Sequence, residues 1–296
     1  MNYSRLLYNL KIVKKIVFVQ VAGGLGNQLF SWAMAHKLAQ SEKNRIILLT
    51  NYGKNENRKC EIKKLNKNCG HGVKVWNLPG ILNVFVIYDF LLSKIKFKSV
   101  RNFLSNYFYS SSQPTEVPQE KQLENKIFLR GFFQNSRMVE DVRHSINKEV
   151  IEFASKLFSK ESFIDVPQIV HVRRGDLKEN KDTIGVLTDE YFSDLLNEDS
   201  YSIVTDEIVN GTSELWQSCQ TVYLGETSPW LVIWLGMNSQ VFIGSNSTLS
   251  WWAAYLNEQD GARLYLPKPW TVKGNDEYSL LYLNKVCYVE SRFGQS

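Results

Sequence analysis

No C-x-x-C pair occurs among the four cysteines of this chain. Cys60, Cys69 and His71 form a C-x₈-C-x-H array that fits none of the usual zinc spacings, so free thiols in a reducing compartment are expected. The amino terminus, MNYSRLLYNLKIVKKIVFV, lacks an apolar run long enough for a spanning helix or a signal-peptide core. It reads as a leader into the first strand, with a short basic amphipathic segment on a membrane surface as the alternative. Internal repeats and low-complexity tracts are also missing, which excludes a solenoid.

What is present describes a globular protein. Hydrophobic residues make up 44% and charged residues 22% of 296, enough to bury a core in two domains of ordinary size. The net charge of +5 conceals an uneven distribution: residues 1–150 hold 24 Lys/Arg against 10 Asp/Glu, and residues 151–296 hold 11 against 20. A first half at +14 and a second at −9 point to two domains with different partners. A basic first half suits an anionic membrane surface or a phosphorylated acceptor. Nucleic acid ranks lower, because no recognised nucleic-acid motif accompanies the charge.

Ile16–Val21 reads as a buried strand running into AGGLGNQLF at 22–30, with a helix over about 27–40. The glycines Gly24 and Gly26 fit the start of a dinucleotide fingerprint, but Leu29 stands at its third glycine and no Walker lysine follows. The loop is therefore neither NAD-type nor a P-loop. Either Asn27 and Gln28 turn their amides toward a ligand at the helix start, or Asn27 simply caps the helix. Further strands are expected at 45–50 and 127–133, a loop with short helices over 51–72, and a helix near 137–158. The aromatics between 85 and 109 fit either a core or a sugar-stacking platform. In the second half, strands at 168–172, 201–205, 221–225 and 240–244 alternate with helices near 188–197, 229–237 and 248–256. That alternation predicts a parallel sheet wound on both faces.

Two turns in this half carry phosphate chemistry. QIVHV at 168–172 delivers His171, Arg173, Arg174, Gly175 and Asp176 to a strand's carboxyl end, where open α/β sheets bind ligands. Guanidinium suits phosphate because its planar fork donates paired hydrogen bonds, and Asp176 can fix one arginine's rotamer. Ser245, Asn246, Ser247 and Thr248 lie between a strand and a helix, where free backbone N–H groups and hydroxyls could hold a diphosphate without a metal. The plainer readings are a surface salt bridge and ordinary N-capping.

Taken in order, three stretches resemble the bacterial α-1,2-fucosyltransferases, glycosyltransferase family 11: AGGLGNQLF at 22–30, HVRRGD at 171–176 and SNSTLSWWAAYL at 245–256. GFFQN at 131–135, VTDE at 204–207 and LPKPW at 266–270 are smaller echoes. The resemblance implies an α/β fold of GT-B type, two Rossmann-like domains facing across a cleft. An acceptor-binding domain would span 1–160 and a GDP-fucose-binding domain 161–296, with room for the last residues to pack back on the first. It implies inverting transfer of L-fucose from GDP-β-L-fucose to the 2-hydroxyl of a terminal galactose, with no required metal or other cofactor. The setting would be O-antigen or other surface-polysaccharide synthesis, on an acceptor that a lipid pyrophosphate can carry. The protein would be cytoplasmic, with peripheral contact at the inner membrane, and no nucleic-acid partner.

By the same resemblance Arg173 would stabilise the leaving GDP, His171 and Asp176 would shape its pocket, and Arg174 would either hold Asp176 or assist. Ser247 and Thr248 would bind phosphate at the helix start and Asn27, with Gln28 beside it, would face the reacting centre, with Gly24, Gly26, Ser245 and Asn246 as further substrate-binding candidates. Related enzymes carry an acid early in the helix before SNST that could read guanine; SPWLVIWLGMNS has none, and Glu226 is the nearest. Asp206 or backbone groups are the substitutes. Asn27 and Gln28 do not titrate, so a dissociative displacement is expected, its proton received by the departing phosphate or a distal carboxylate. A different nucleotide sugar on the same frame, or a non-catalytic nucleotide- or glycan-binding protein, are the alternatives.

Overall fold

The computed structural model describes residues 15–40, 44–50, 59–68, 73–76, 84–158, 168–196, 200–206, 213–224, 229–274 and 276–294. The leader, Cys69, His71, the 162–167 segment, Glu207 and Glu226 lie outside them. The chain divides into two compact units, Met1–Ile146 and Asn147–Ser296.

Val17, Val19 and Val21 are buried along one face of a strand, and on the other face burial deepens from exposed Ile16 through Phe18 to buried Gln20. They form β1 (Lys15–Val21), followed by α1 (Leu25–Ala39) and β2 (Asn44–Thr50). After a 3-10 helix at Glu61–Asn68 come β3 (Val73–Trp76), α2 (Val84–Lys94), α3 (Lys98–Ser105) and β4 (Phe108–Ser110). Then α4 (Glu120–Leu123), β5 (Phe128–Arg130), α5 (Ser136–Asp141) and α6 (Arg143–Leu157) complete this stretch, and the division between units falls inside α6. The five strands pair in the order β3-β2-β1-β5-β4, every ladder parallel. Strand order reverses between β1 and β5, so their carboxyl ends flank the place where such sheets bind ligands.

The second unit begins with the remainder of α6, whose Phe153 packs edge-on against Trp230. Its strands are β6 (Gln168–Val172), β7 (Ser202–Thr205), β8 (Thr221–Leu224), β9 (Val241–Ile243), β10 (Arg263–Lys268) and β11 (Cys287–Glu290). Helices α7 (Asp189–Ser193), α8 (Glu214–Gln217), α9 (Pro229–Asn238) and α10 (Thr248–Leu256) connect them. The sheet runs β11-β10-β9-β6-β7-β8, all parallel, which is the Rossmann order with its switch point between β6 and β9. Trp251 and Trp252, both fully buried, plant α10 against the core. The described C-terminal residues stay with this unit: β11 pairs with β10, and Phe293 bridges to Leu187.

The parallel sheets expected from the alternation are present, while several boundaries moved. α1 starts at Leu25, not Asn27, because Gly24 already takes the extended cap conformation. The expected strand at 127–133 leaves its ladder after Arg130, and buried Phe133 adopts φ 53°. The helix near 137–158 is two helices, broken at Val142, and the one near 188–197 covers only Asp189–Ser193. Phe85 and Tyr109 are core residues, whereas Phe90, Phe97 and Phe103 are exposed. Cys60, Cys219 and Cys287 carry free thiols.

Gly23 has φ +75°, and a Cβ there would lie 2.7 Å from Asn27 Nδ2. Gly261 shares the conformation, at φ +70°, with open space around it. Gly261→Ala should cost about 1 kcal/mol and Gly23→Ala about 2 kcal/mol or more, measured by denaturant unfolding. Equal costs would mean that Asn27 yields freely and does not hold the loop.

Candidate active site

Each unit gathers polar residues at its own switch point. In the first, Gly24 leads into α1, so Gly26 and Asn27 fall within the first helical turn and Asn27 is not the cap. Gln28 does not turn outward as expected. Its Nε2 donates to the carbonyls of Gly23 and Lys59, both at 2.9 Å, and its Oε1 accepts from the N–H of Glu61 (2.8 Å) and Ile62 (3.3 Å). Two donors and two lone pairs exhaust the amide. Gln28 is thus a buried clamp between the glycine loop and the 3-10 helix that follows.

Asn27 does meet a partner that sequence reasoning left unassigned. Gln134 Nε2 donates to Asn27 Oδ1 at 2.9 Å, joining the residues that follow β1 and β5. Gln134 is 6% exposed, and its Oε1 has no hydrogen-bond partner among the described residues. The left-handed turn at Phe133 sets this side chain in place, and the Gln134 N–H is fixed on the Pro114 carbonyl. Asn135 caps α5 by accepting from the Met138 N–H at 3.1 Å. A buried, unpaired amide oxygen at a switch point is a ligand-ready acceptor, since leaving it unsatisfied costs about 1–3 kcal/mol. GFFQN was visible in the sequence, but nothing in it reveals an orphaned oxygen.

In the second unit, β6 is buried along its whole length and ends on a tightly cross-linked turn. The Asp206 Oδ1, at the end of β7, accepts from the N–H of Arg174 (2.9 Å) and of Gly175 (3.1 Å). Its Oδ2 lies 3.8 Å from Arg173 Nε, while Asp176 Oδ1 accepts from Arg173 Nη2 at 2.7 Å. Arg173 is therefore held between two carboxylates, with guanidinium N–H groups left over that no described residue engages. Asp206, a substitute for the guanine-reading acid, is instead committed to this turn. Arg174 points into structure: Nε donates to the Leu187 carbonyl at 3.0 Å, Nη2 to Asp189 at 2.5 Å, and the guanidinium lies over Phe192. Burial alone would raise the Asp189 carboxyl, but hydrogen bonds from Ser213 and Arg174 hold it below its usual range.

The β9 side locks onto the same turn. Ser245 Oγ donates to the His171 carbonyl (2.7 Å) and accepts from the Arg173 N–H (2.9 Å). Ser250 Oγ lies 2.6 Å from His171 Nδ1 and accepts from the Ser245 N–H at 3.0 Å. Asn246 Nδ2 is spread over the carbonyls of Ile184, Gly185 and Trp270, tying two loops together. Ser247 caps α10, its hydroxyl accepting from the Leu249 N–H, and half-buried Thr248 opens the helix. Ser245 and Ser250 thus tie the residues leading into α10, and its first turn, to the turn that carries Arg173, while Asn246 ties the neighbouring loops. Burial drives the His171 pKa well below its ordinary value; Asp206 opposes and Arg173 adds to the shift, so the ring is neutral. Among the described residues no group of three or more His, Cys, Asp or Glu could hold a metal ion.

All-parallel α/β sheets with polar groups concentrated at their switch points place the chain in the class of Rossmann-like, GT-B type glycosyltransferases. The particular assignment is sharper: residues 16–273 match the model of glycosyl transferase family 11, and the chain belongs to that family. An alpha-1,2-colitosyltransferase of Escherichia coli is similar to it, 24% identical over 282 residues that cover 86% of this chain and 92% of that protein. The protein is accordingly a glycosyltransferase, working with a nucleotide-sugar donor and a glycan acceptor.

A neutral, buried His171 has a signature in stability. The unfolded chain takes up a proton below about pH 6.5 and the folded one does not, so stability is present above that pH and falls below it. Between pH 6.5 and pH 5 the wild type should lose about 2 kcal/mol more than His171→Asn, by denaturant unfolding at each pH. Equal losses would show that the folded protein protonates His171.

Proposed function

We propose that the protein moves L-fucose from GDP-β-L-fucose to the 2-hydroxyl of a terminal galactose, with inversion, in O-antigen or other surface-polysaccharide assembly. One observation carries the donor half of this reading. Arg173, held by Asp176 and Asp206, lies on the turn that Ser245 ties, through the Arg173 N–H, to the segment leading into the hydroxyl-capped α10 at the switch point of the six-stranded sheet. Guanidinium and helix N–H groups together complement a diphosphate whose charge grows as the glycosidic bond breaks.

In the proposed reaction the C1–O bond to the β-phosphate breaks early, and its electron pair stays on the phosphate oxygen opposite Arg173. The galactose 2-oxygen then bonds to C1 from the other face. Its proton leaves late, to a carboxylate or through solvent to the departing phosphate, because neither Asn27 nor Gln134 can act as a base. Asp176 orients Arg173, and neutral His171 holds β6 to α10 through Ser250. Charge stabilisation by arginine and helix takes the part a metal plays elsewhere, so EDTA should leave turnover intact. On the acceptor side, Gln134 Oε1 accepts a hydrogen bond from a sugar hydroxyl beside Asn27.

The similarity to a colitosyltransferase supports a second reading, with an activated colitose as donor. Colitose is L-fucose without its 3-hydroxyl. A site that hydrogen-bonds that hydroxyl rejects the deoxy sugar by roughly 10⁴-fold, whereas an apolar site discriminates by about 10–200-fold.

The deciding assay offers GDP-fucose, GDP-colitose and a panel of other GDP- and UDP-sugars with small β-galactosides in EDTA. An α-1,2-fucosyl product formed from GDP-fucose, with kcat reduced about 10²–10³-fold in Arg173→Ala, is the expected result. Preference for GDP-colitose would replace the donor and keep the linkage. Tight GDP binding without turnover of any donor would overturn the transfer reading. Gln134→Met, which keeps the volume and removes the acceptor oxygen, should raise the galactoside KM about tenfold while GDP release without acceptor is unchanged. An unchanged KM would remove Gln134 from the acceptor site.

A further inference from the structure

Six large apolar side chains that a folded interior would normally take up stand exposed within seventeen residues: Ile87, Phe90, Leu91, Phe97, Val100 and Phe103. Phe97 is 75% exposed, Phe90 60% and Phe103 59%. On α2 the residues Ile87, Phe90 and Leu91 recur at i, i+3 and i+4, one helical stripe. The inward anchor of α2 is Phe85, fully buried and set edge-on to Phe108 and Phe128. The next helix, α3, buries none of its side chains, and Phe97, Val100 and Phe103 repeat at intervals of three along it. Phe103 meets the neighbouring Tyr107 ring edge-on. An amphipathic helix whose apolar stripe meets no core needs another medium for that stripe.

The charges decide which medium. Lys94, Lys96, Lys98 and Arg101 are exposed among these apolar residues, while Asp89 is the one acid in the sequence from 87 to 105. Lysine is depleted in protein–protein interfaces. A second copy meeting this face across a two-fold axis would bring the same lysines together, which like-charge repulsion opposes. Aromatic rings interleaved with long-stemmed lysines instead fit the boundary between anionic headgroups and acyl chains, where ring and stem are apolar and the ammonium stays wet.

We propose that the α2–α3 segment, residues 87–103, is a docking surface for an anionic lipid bilayer. Phe97 and Phe103 enter the headgroup layer, and Lys94, Lys96, Lys98 and Arg101 meet the lipid phosphates. Peripheral attachment of this kind requires no spanning segment; no described helix is long and apolar enough to cross a membrane. The surface belongs to the first unit and its occupancy does not depend on which sugar is transferred.

The test is cosedimentation of the purified full chain with vesicles of phosphatidylcholine alone and with about one-third phosphatidylglycerol, at low and high salt. The wild type should pellet with anionic vesicles only, and added salt should release much of it. Phe97→Ser with Phe103→Ser should weaken binding about tenfold or more, and Lys96→Glu with Lys98→Glu should abolish the salt-sensitive part. Both double variants should unfold at the wild-type temperature, since α3 buries no side chain, and should keep wild-type activity on a water-soluble acceptor. Failure of the wild type to bind anionic vesicles, or binding that neither variant weakens, would overturn the proposal. So would a solution dimer that both variants dissociate, which would make a second copy the occupant.

Discussion

The second sheet's ligand end depends on one carboxylate. Asp206 receives two consecutive backbone N–H groups from the turn after β6, and this forces that turn to close over the end of β7. Two N–H groups aimed at one oxygen give a charge-assisted pair that a neutral side chain could not match. Arg174 is then directed to Asp189 and the Phe192 ring, while Arg173 turns to the carboxylates of Asp176 and Asp206. Adjacent arginines that sequence alone treats as equivalent thus have opposite assignments, one in the fold and one at the site. The cause is chain direction: neighbouring residues in an extended turn leave the backbone on opposite sides.

The two switch points share a design in which most polar atoms are spent on each other. Gln28 saturates itself on four backbone groups, Ser245 and Ser250 stitch β6 to the start of α10, and Asn246 ties three carbonyls. Such networks cost little when complete and fix one geometry, so the few unspent groups are held without freedom to collapse. Among the described residues those groups include spare N–H donors of Arg173, the Oδ1 of Asn246 and the Oε1 of Gln134. The first is cationic and suited to phosphate; the amide oxygens are neutral acceptors suited to a hydroxyl or an N–H.

The sequence disclosed the parallel α/β organisation because the central strands are continuous apolar runs separated by clear turn residues. The bounds of α10 were legible to the residue, since Ser247 caps it and the tryptophan pair marks its buried face. The edge strands β3 and β4 have only four and three residues, too short for the alternation in VKVW to stand out, and β10 and β11 lie in an aromatic, proline-containing tail. Within the motifs, residue type announced chemistry but not allegiance. Gln28 and Asn27 are neighbours of similar character, yet one is wholly structural and the other meets Gln134 more than a hundred positions away. No local pattern encodes that meeting; it follows from β5 lying beside β1.

The lopsided charge is where composition and architecture correct one another. Read as a total, the +14 of the first half admits nucleic acid, a phosphorylated acceptor or a membrane alike. Read in place, part of it is local bookkeeping: Lys37 pairs with Asp141, Lys64 with Glu61 and Arg143 with Glu140. What distinguishes residues 94–101 is that their cations stand among exposed aromatics from the end of α2 into α3, a helix with no buried side chain. A nucleic-acid groove would want its cations at phosphate spacing beside polar donors, and a sugar site would want rings lining a concave wall. Rings and lysines alternating along an exposed helix and the link before it satisfy neither geometry. They suit a medium that is apolar at one depth and anionic a few ångströms above it, which only a lipid headgroup layer offers to a single helical face.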